Sequence, residues 1–243
     1  MARLRLVVNK DGALSYLSHL DFMRTILRVM RRAELPVAYS EGFNPHMKIS
    51  YDSALGVGVS ADKVYLDVEL KEALPMEEVQ QRLYKATEKS PIRFGKGMYI
   101  DKKVPKLMDA CNAMTYHLTA KCTGDEADAA KEAVSRFREA KELCIERKSP
   151  KNPKNIRLID LKEHVTDITL EDAEEKGYIQ VSFVICRTEK GAVKPEEVWK
   201  ALVQTCGLPA EENVYFCRRS EVYVQQGNKR QTPFEAAGDA QVN

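Results

Sequence analysis

Two histidines bracket a row of basic residues near the start of the chain. His19 and His46 flank Arg24, Arg28 and Arg31, and Lys48 follows close behind. A neutral imidazole beside a protonatable one is the pair that metal-independent RNA cleavage needs as base and acid. At the first turn of a helix the positive dipole end favours the neutral ring of His19, which leaves His46 as the acid. The plainer alternative comes first: His19 packs, His46 hydrogen-bonds and Asp21 caps the helix rather than acting as a catalyst. His117 and His164 have no recognisable companions.

The arginines offer binding rather than catalysis. Arg24, Arg28 and Arg31 are spaced i, i+4, i+7 and so share a helix face, with Arg32 adjoining. Guanidinium forks bind phosphate oxygens bidentately, which suits a nucleic-acid backbone. On the helix alone, solvated surface charge or pairing with carboxylates explains them better. The stretch "AYSEGFNPHMKIS" shifts that balance. Gly42 and Pro45 shape a turn, Asn44 and His46 present hydrogen-bonding groups, and Lys48 adds charge. Phe43 is either a core plug, the better reading for a lone aromatic, or a stacking platform for a base. From Phe22 to Ser50 there are five arginines and lysines against Glu34 and Glu41. A second basic stretch, "ERKSPKNPKNIR", carries Arg147, Lys148, Lys151, Lys154 and Arg157. It reads equally as a phosphate-touching arm or as a solvated hairpin tip.

Elements must hold these residues in place. "RLRLVVN" alternates as a half-buried strand, and "KDGA" predicts a turn that returns through "LSYL" (14–17). Ser18 followed by Asp21 has the shape of a capping box and starts a helix over 18–34 that Pro36 stops. Leu20, Met23, Leu27 and Met30 are its expected core face. "VAYS" and "KISY" read as strands either side of the loop, followed by strand 63–70, helix 75–90 and strand 92–100. A second unit repeats the plan with strands at 113–122, 142–148, 155–170, 178–187 and 213–224 and helices at 125–140 and 194–206. The expected fold is α+β: two tandem ferredoxin-like (βαββαβ-type) units with mostly antiparallel sheets. They span residues 1–105 and 110–225, followed by a mobile tail at 226–243 rich in Gln, Gly, Asn and Ala.

Composition excludes several classes. The chain has 243 residues, a net charge of +2, 44% hydrophobic and 30% charged residues, which fits a globular protein with no global nucleic-acid charge signature. No apolar run or export leader is apparent, so a cytoplasmic protein without a membrane partner is expected. Six cysteines fall in no C-x-x-C pattern, so neither a cysteine-bound metal nor another cofactor is expected. There is no Walker motif, dinucleotide fingerprint or nucleophile elbow.

The segments "SHLDFMR", "RRAELPVAYSEGFNPHMKIS", "ALGVGV" and "YLDVEL" resemble the bacterial radical-SAM-linked family, a domain of unknown function often fused to or encoded beside a cobalamin-binding radical SAM protein. The resemblance is concentrated in residues 3–70 and continues more weakly through "IRLIDL" (156–161). Met47 departs from it, standing where the family usually has a second proline, which would loosen the loop. The resemblance implies a radical SAM partner and names no reaction. With the basic surface, it implies an RNA-binding accessory protein in tRNA or rRNA modification. The alternatives are a metal-independent RNA-processing or modifying enzyme using His19 and His46, and a pure protein-interaction module for the same partner.

Overall fold

The computed structural model describes the chain apart from residues 123–126, 149–151, 153–155, 174 and 239–243. Two compact units divide it: residues 1–112 with 219–243, and residues 113–218. The fold is mixed α+β with mostly antiparallel pairing.

The first unit begins with β1 (Ala2–Lys10), α1 (His19–Arg32), β2 (Ile49–Tyr51) and β3 (Val59–Leu70), followed by α2 (Met76–Thr87), β4 (Phe94–Ile100) and the short α3 (Leu107–Ala110). β1 pairs antiparallel with β4 on one side and, from Ala2↔Leu70 to Lys10↔Ala61, with nearly the whole of β3 on the other. The other edge of β3 is shared: β2 pairs with its Leu66–Val68 half, and the later strand β10 (Phe216–Gln226) also pairs with β3. Strand alternation sets the two faces. Leu4, Leu6, Val8, Leu66, Val68 and Leu70 pack against Phe22, Ile26 and Met30 of α1 and Val79 and Leu83 of α2 in one core. Arg3, Arg5, Lys63, Tyr65 and Asp67 occupy the opposite parity.

That second face is polar and yet buried. Arg5 lies opposite Asp67 in the β1–β3 register, and its Nε and Nη2 donate to Asp67 at 2.7 and 2.9 Å. Arg3 donates to the same carboxylate at 2.6 Å. The covering comes from the chain that follows β10, most of which belongs to this unit: β11 (Lys229–Gln231), hydrogen-bonded to β10, and α6 (Pro233–Ala237). Arg5 Nη1 donates to the Pro233 carbonyl at 2.6 Å, and the Phe234 ring meets Tyr65 edge-on at 5.4 Å. Thr232 and Glu235 cap α6 reciprocally. The expected tail at 226–243 is therefore structured through Ala237, because Phe234 and the Pro233 carbonyl have partners on the sheet.

The second unit holds β5 (Ala113–Lys121), α4 (Ala127–Glu139), β6 (Cys144–Lys148), β7 (Ile156–Asp160), β8 (Val165–Asp172), β9 (Tyr178–Cys186) and α5 (Pro195–Gln204). β9 lies between β5 and β8, antiparallel to both, and β6–β7 form a separate hairpin. α4 packs on β8 and α5 on β5, around a core that includes Phe137, Val181, Phe183 and the fully buried Trp199.

Other expectations shift locally. Residues 12–16 form a 3₁₀ turn rather than a returning strand, held by Leu17 N–H donating to the Leu14 carbonyl at 3.0 Å. "VAYS" contributes two isolated bridges, Val37↔Leu70 and Tyr39↔Met47, instead of a strand. The unit boundary falls at Asn112, and residues from Arg219 rejoin the first unit rather than closing the second.

Candidate functional site

Helix α1 starts where its cap chemistry dictates. Ser18 Oγ accepts the Asp21 N–H at 3.2 Å and donates to the Asp21 carboxylate at 2.6 Å. The Ser18 hydroxyl, more than the Arg24 charge, holds the Asp21 carboxyl below its usual range. Phe22, Met23, Ile26, Val29 and Met30 form the buried stripe. The stripe is thus rotated from the expected one: Leu20 points into solvent, 66% exposed, and Leu27 is only partly covered. The outward face consequently carries Leu20, Arg24, Arg28 and Arg31. Arg24 reaches Asp21 at 3.0 Å, but both groups are largely exposed and such a pair contributes little. Arg28 and Arg31 are exposed and make no ion pair among the described residues. Arg32 is committed, donating to the Ala86 carbonyl at 3.0 Å.

The loop after α1 is closed at its neck. Lys48 N–H donates to the Ala38 carbonyl at 2.9 Å and Ser40 N–H to the His46 carbonyl at 2.8 Å. His46 N–H donates to Ser40 Oγ at 3.1 Å, and the same oxygen shares a 2.8 Å hydrogen bond with His46 Nδ1. Beyond this clasp Glu41–Pro45 are all exposed, and Gly42 sits at φ +116°, a conformation that favours glycine. Phe43 at the tip is fully exposed, so the core-plug reading does not hold. Met47 is the plug: it is buried in the core beneath the loop, and the neck is tied rather than loosened where the proline is absent. Lys48 is half-buried and reaches Glu69 at a long 3.5 Å.

His19 and His46 serve different elements. The His19 ring meets Tyr51 edge-on at 6.0 Å, whereas His46 is tied to Ser40. Burial lowers the His19 pKa, with Lys10 adding to the effect and Asp52 opposing it. The ring is thus favoured neutral as expected, but through desolvation rather than helix position. His117 and His164 lie in the second unit, hydrogen-bonded to Ser182 and to the Cys186 carbonyl.

Beside His19 lies a buried ionic layer that sequence reasoning missed. Lys10 is fully buried, and its Nζ donates to the carbonyls of Ser15, Val59 and Gly56 at 2.9, 2.9 and 3.2 Å. Burial, helped by Arg219, pulls its pKa from 10.5 to about 8. Asp52 accepts both guanidinium ends of Arg219 at 3.1–3.2 Å and the Tyr65 N–H at 2.8 Å. Tyr65 OH donates to Glu221 at 2.8 Å, and Lys63 pairs with the same carboxylate. One signal was available in the sequence: Thr232-Pro-Phe-Glu235 is a capping box that announces α6, whose Phe234 meets Tyr65 of this layer.

The second basic stretch divides. Arg147 is engaged, donating to Glu197 at 2.7 Å through Nε and to the Ala192 carbonyl at 3.1 Å, so it is not available to phosphate. Arg157, its partner across the β6–β7 hairpin, is exposed, as is Lys148. Lys151 and Lys154 lie outside the described residues. Among the described residues no three His, Cys, Asp or Glu side chains gather as a metal site would require. No helix among them is long and apolar enough to cross a membrane.

Residues 3–195 match a family described as "Uncharacterized protein conserved in bacteria (DUF2344)". None of the curated proteins matches the chain. Among solved structures, that of an unknown protein from Galdieria sulphuraria aligns over 83% of this chain and 86% of its own at 8% identity, with a TM-score of 0.24 that carries no argument.

Proposed function

The chain belongs to this uncharacterized bacterial family, and from that premise we propose that it is a cytoplasmic RNA-binding accessory protein working with a radical SAM enzyme in tRNA or rRNA modification. The observation that carries the RNA reading is the pairing of two exposed features on consecutive elements. Arg28 and Arg31 face solvent with no ion-pair partner among the described residues, and the clasped loop that follows holds Phe43 fully in water. A fully exposed phenylalanine gains nothing for the fold. On a tied loop it is a stacking surface for an unpaired base, while the arginines hold flanking phosphates. Asn44 stands exposed beside it, and Lys48 extends the charge toward β2. The radical SAM partner rests on the resemblance of the "SHLDFMR" and "YSEGFNPH" segments alone.

We also infer that each unit is ferredoxin-like. In the first, β4-β1-β3 with β2 on the far edge of β3, each pair antiparallel, is the arrangement that a βαββαβ chain gives, and β10 is an additional strand on that edge of β3. In the second, β5-β9-β8 with α4 between β5 and β8 and α5 after β9 follows the same plan, with the β6–β7 hairpin inserted. Helices on one face of such a sheet leave loop ends free for recognition.

The test is ultraviolet crosslinking in native cells, followed by sequencing of the attached RNA. One enriched class of tRNA or rRNA, lost when Arg24, Arg28 and His46 are changed to alanine, is the expected result. An empty crosslink with a radical SAM protein co-purifying would reassign the arginine face to protein docking.

A further inference from the structure

We propose that a recess beside Lys48 binds the terminal phosphate of a nucleotide, either free or at the end of an RNA strand. It rests on the RNA reading above only for the second of those sources. The recess has a volume of about 590 Å³ and lies wholly within the first unit, walled by Arg3, Lys48, Ser50, Lys102 and Lys106. A volume of this order suits a mononucleotide.

The charges on its wall favour an anion. Three lysines, Lys48, Lys102 and Lys106, line it together with Arg3, whose guanidinium is already committed to Asp67, and the carboxylates on the wall are Asp67 and Glu69. Asp67 is already held by Arg3 and Arg5, so its charge is more than balanced. Glu69 is met only by Lys48, at 3.5 Å and with both side chains partly exposed, a contact that a phosphate can outcompete. Lys102 and Lys106 are exposed and have no ion-pair partner among the described residues.

The cations are presented from a fixed turn. Val104 N–H donates to the Asp101 carbonyl at 3.1 Å, and Lys103 N–H to the Asp101 carboxylate at 2.7 Å. Arg3 pins the same turn from behind, donating to the carbonyls of Val104 and Pro105 at 2.5 and 3.2 Å. Lysine ammonium groups at the mouth suit the near-double charge of a terminal phosphate more than the single charge of a backbone diester. The Ser50 hydroxyl supplies a neutral partner, and Val104 and Pro105 offer an apolar wall to the sugar and base.

Calorimetric titration of the full chain tests this, using adenosine monophosphate, adenosine, and a short single-stranded RNA with or without terminal phosphates. The expected result is binding of adenosine monophosphate and of phosphorylated RNA at least about tenfold tighter than of their unphosphorylated forms. The Lys102→Ala/Lys106→Ala double variant should lose that preference with its thermal midpoint unchanged, since both side chains are exposed. Equal affinity for phosphorylated and unphosphorylated RNA, both weakened by Arg28→Ala, would overturn the recess and leave the α1 interface standing. Binding of adenosine monophosphate through Lys102 and Lys106, with no affinity for either RNA, would keep the recess and overturn the RNA reading.

Discussion

At the residue scale the first unit is organised by charges that have left water. Asp52 and Arg219 are both completely buried, and both Nη groups of the guanidinium donate to the Asp52 carboxylate. Removing one partner strands a buried charge. Asp52→Asn should therefore cost about 3–5 kcal/mol in urea unfolding, and the double change Asp52→Leu with Arg219→Met should recover much of it. Lys10 behaves differently because it is met by carbonyls rather than a carboxylate. Its pKa falls to about 8 in the fold from 10.5. Below pH 8 both states carry the proton and the cost of burying it is constant. Between about 8 and 10.5 the unfolded chain keeps a proton that the folded chain has released, so this group stabilises the fold as pH rises. The stability difference between wild type and Lys10→Met should move in favour of wild type by up to about 2 kcal/mol from pH 7 to 9.5. A flat difference across that range would show Lys10 keeping its ordinary pKa.

At the scale of elements, α1 and its loop divide stability from recognition. The buried stripe of α1 is apolar and its outer face basic, so changes on the outside should leave folding alone. Phe43→Ala should leave the thermal midpoint unchanged, because the ring touches nothing in the core, while weakening single-stranded RNA binding by about 1–3 kcal/mol. Arg28→Ala should reduce the salt slope of binding by about one unit, read by fluorescence anisotropy over a salt series. The helix, its cap and the clasped loop were legible in the sequence because Ser18, Gly42 and Pro45 act locally. The core phase of α1 was not: Leu20 fits the helical period as well as Phe22 does, and only packing against β1 and β3 decides between them. The burial of Arg5 and Asp67 was hidden for a related reason. Alternation placed them on the polar face correctly, but nothing in their own strands shows that residues 229–237 cover that face.

At the scale of the whole molecule, the division of the chain was only half readable. Composition changes near "KKVPKLMDAC", and the break at Asn112 lies close to it. The return of Arg219 onward to the first unit left no comparable mark, because it is held by pairing of β10 with β3 and by side chains more than 150 positions from their partners: Arg219 with Asp52, and Glu221 with Tyr65. The order of the polypeptide therefore differs from the order of its folding units, which leads to a definite expectation for fragments. Residues 1–112 alone would bury Asp52 without Arg219 and Tyr65 without Glu221, and would uncover Arg5 where the Pro233 carbonyl meets it. Uncompensated buried charge and a newly exposed sheet edge on β3 both work against a cooperative fold. Joining residues 1–112 to 219–238 through a short Gly/Ser linker restores these partners. The linker has to reach from Asn112, which hydrogen-bonds to the Tyr223 carbonyl at 3.0 Å, back along β10 to Arg219, about 13 Å of extended strand that roughly six Gly/Ser residues span. Urea unfolding followed by circular dichroism should give a single sigmoidal transition for the joined chain and a broad, sloping one for 1–112. A sharp transition from 1–112 by itself would make the returning segment an accessory rather than part of the unit, and would remove the reason for the buried Arg219.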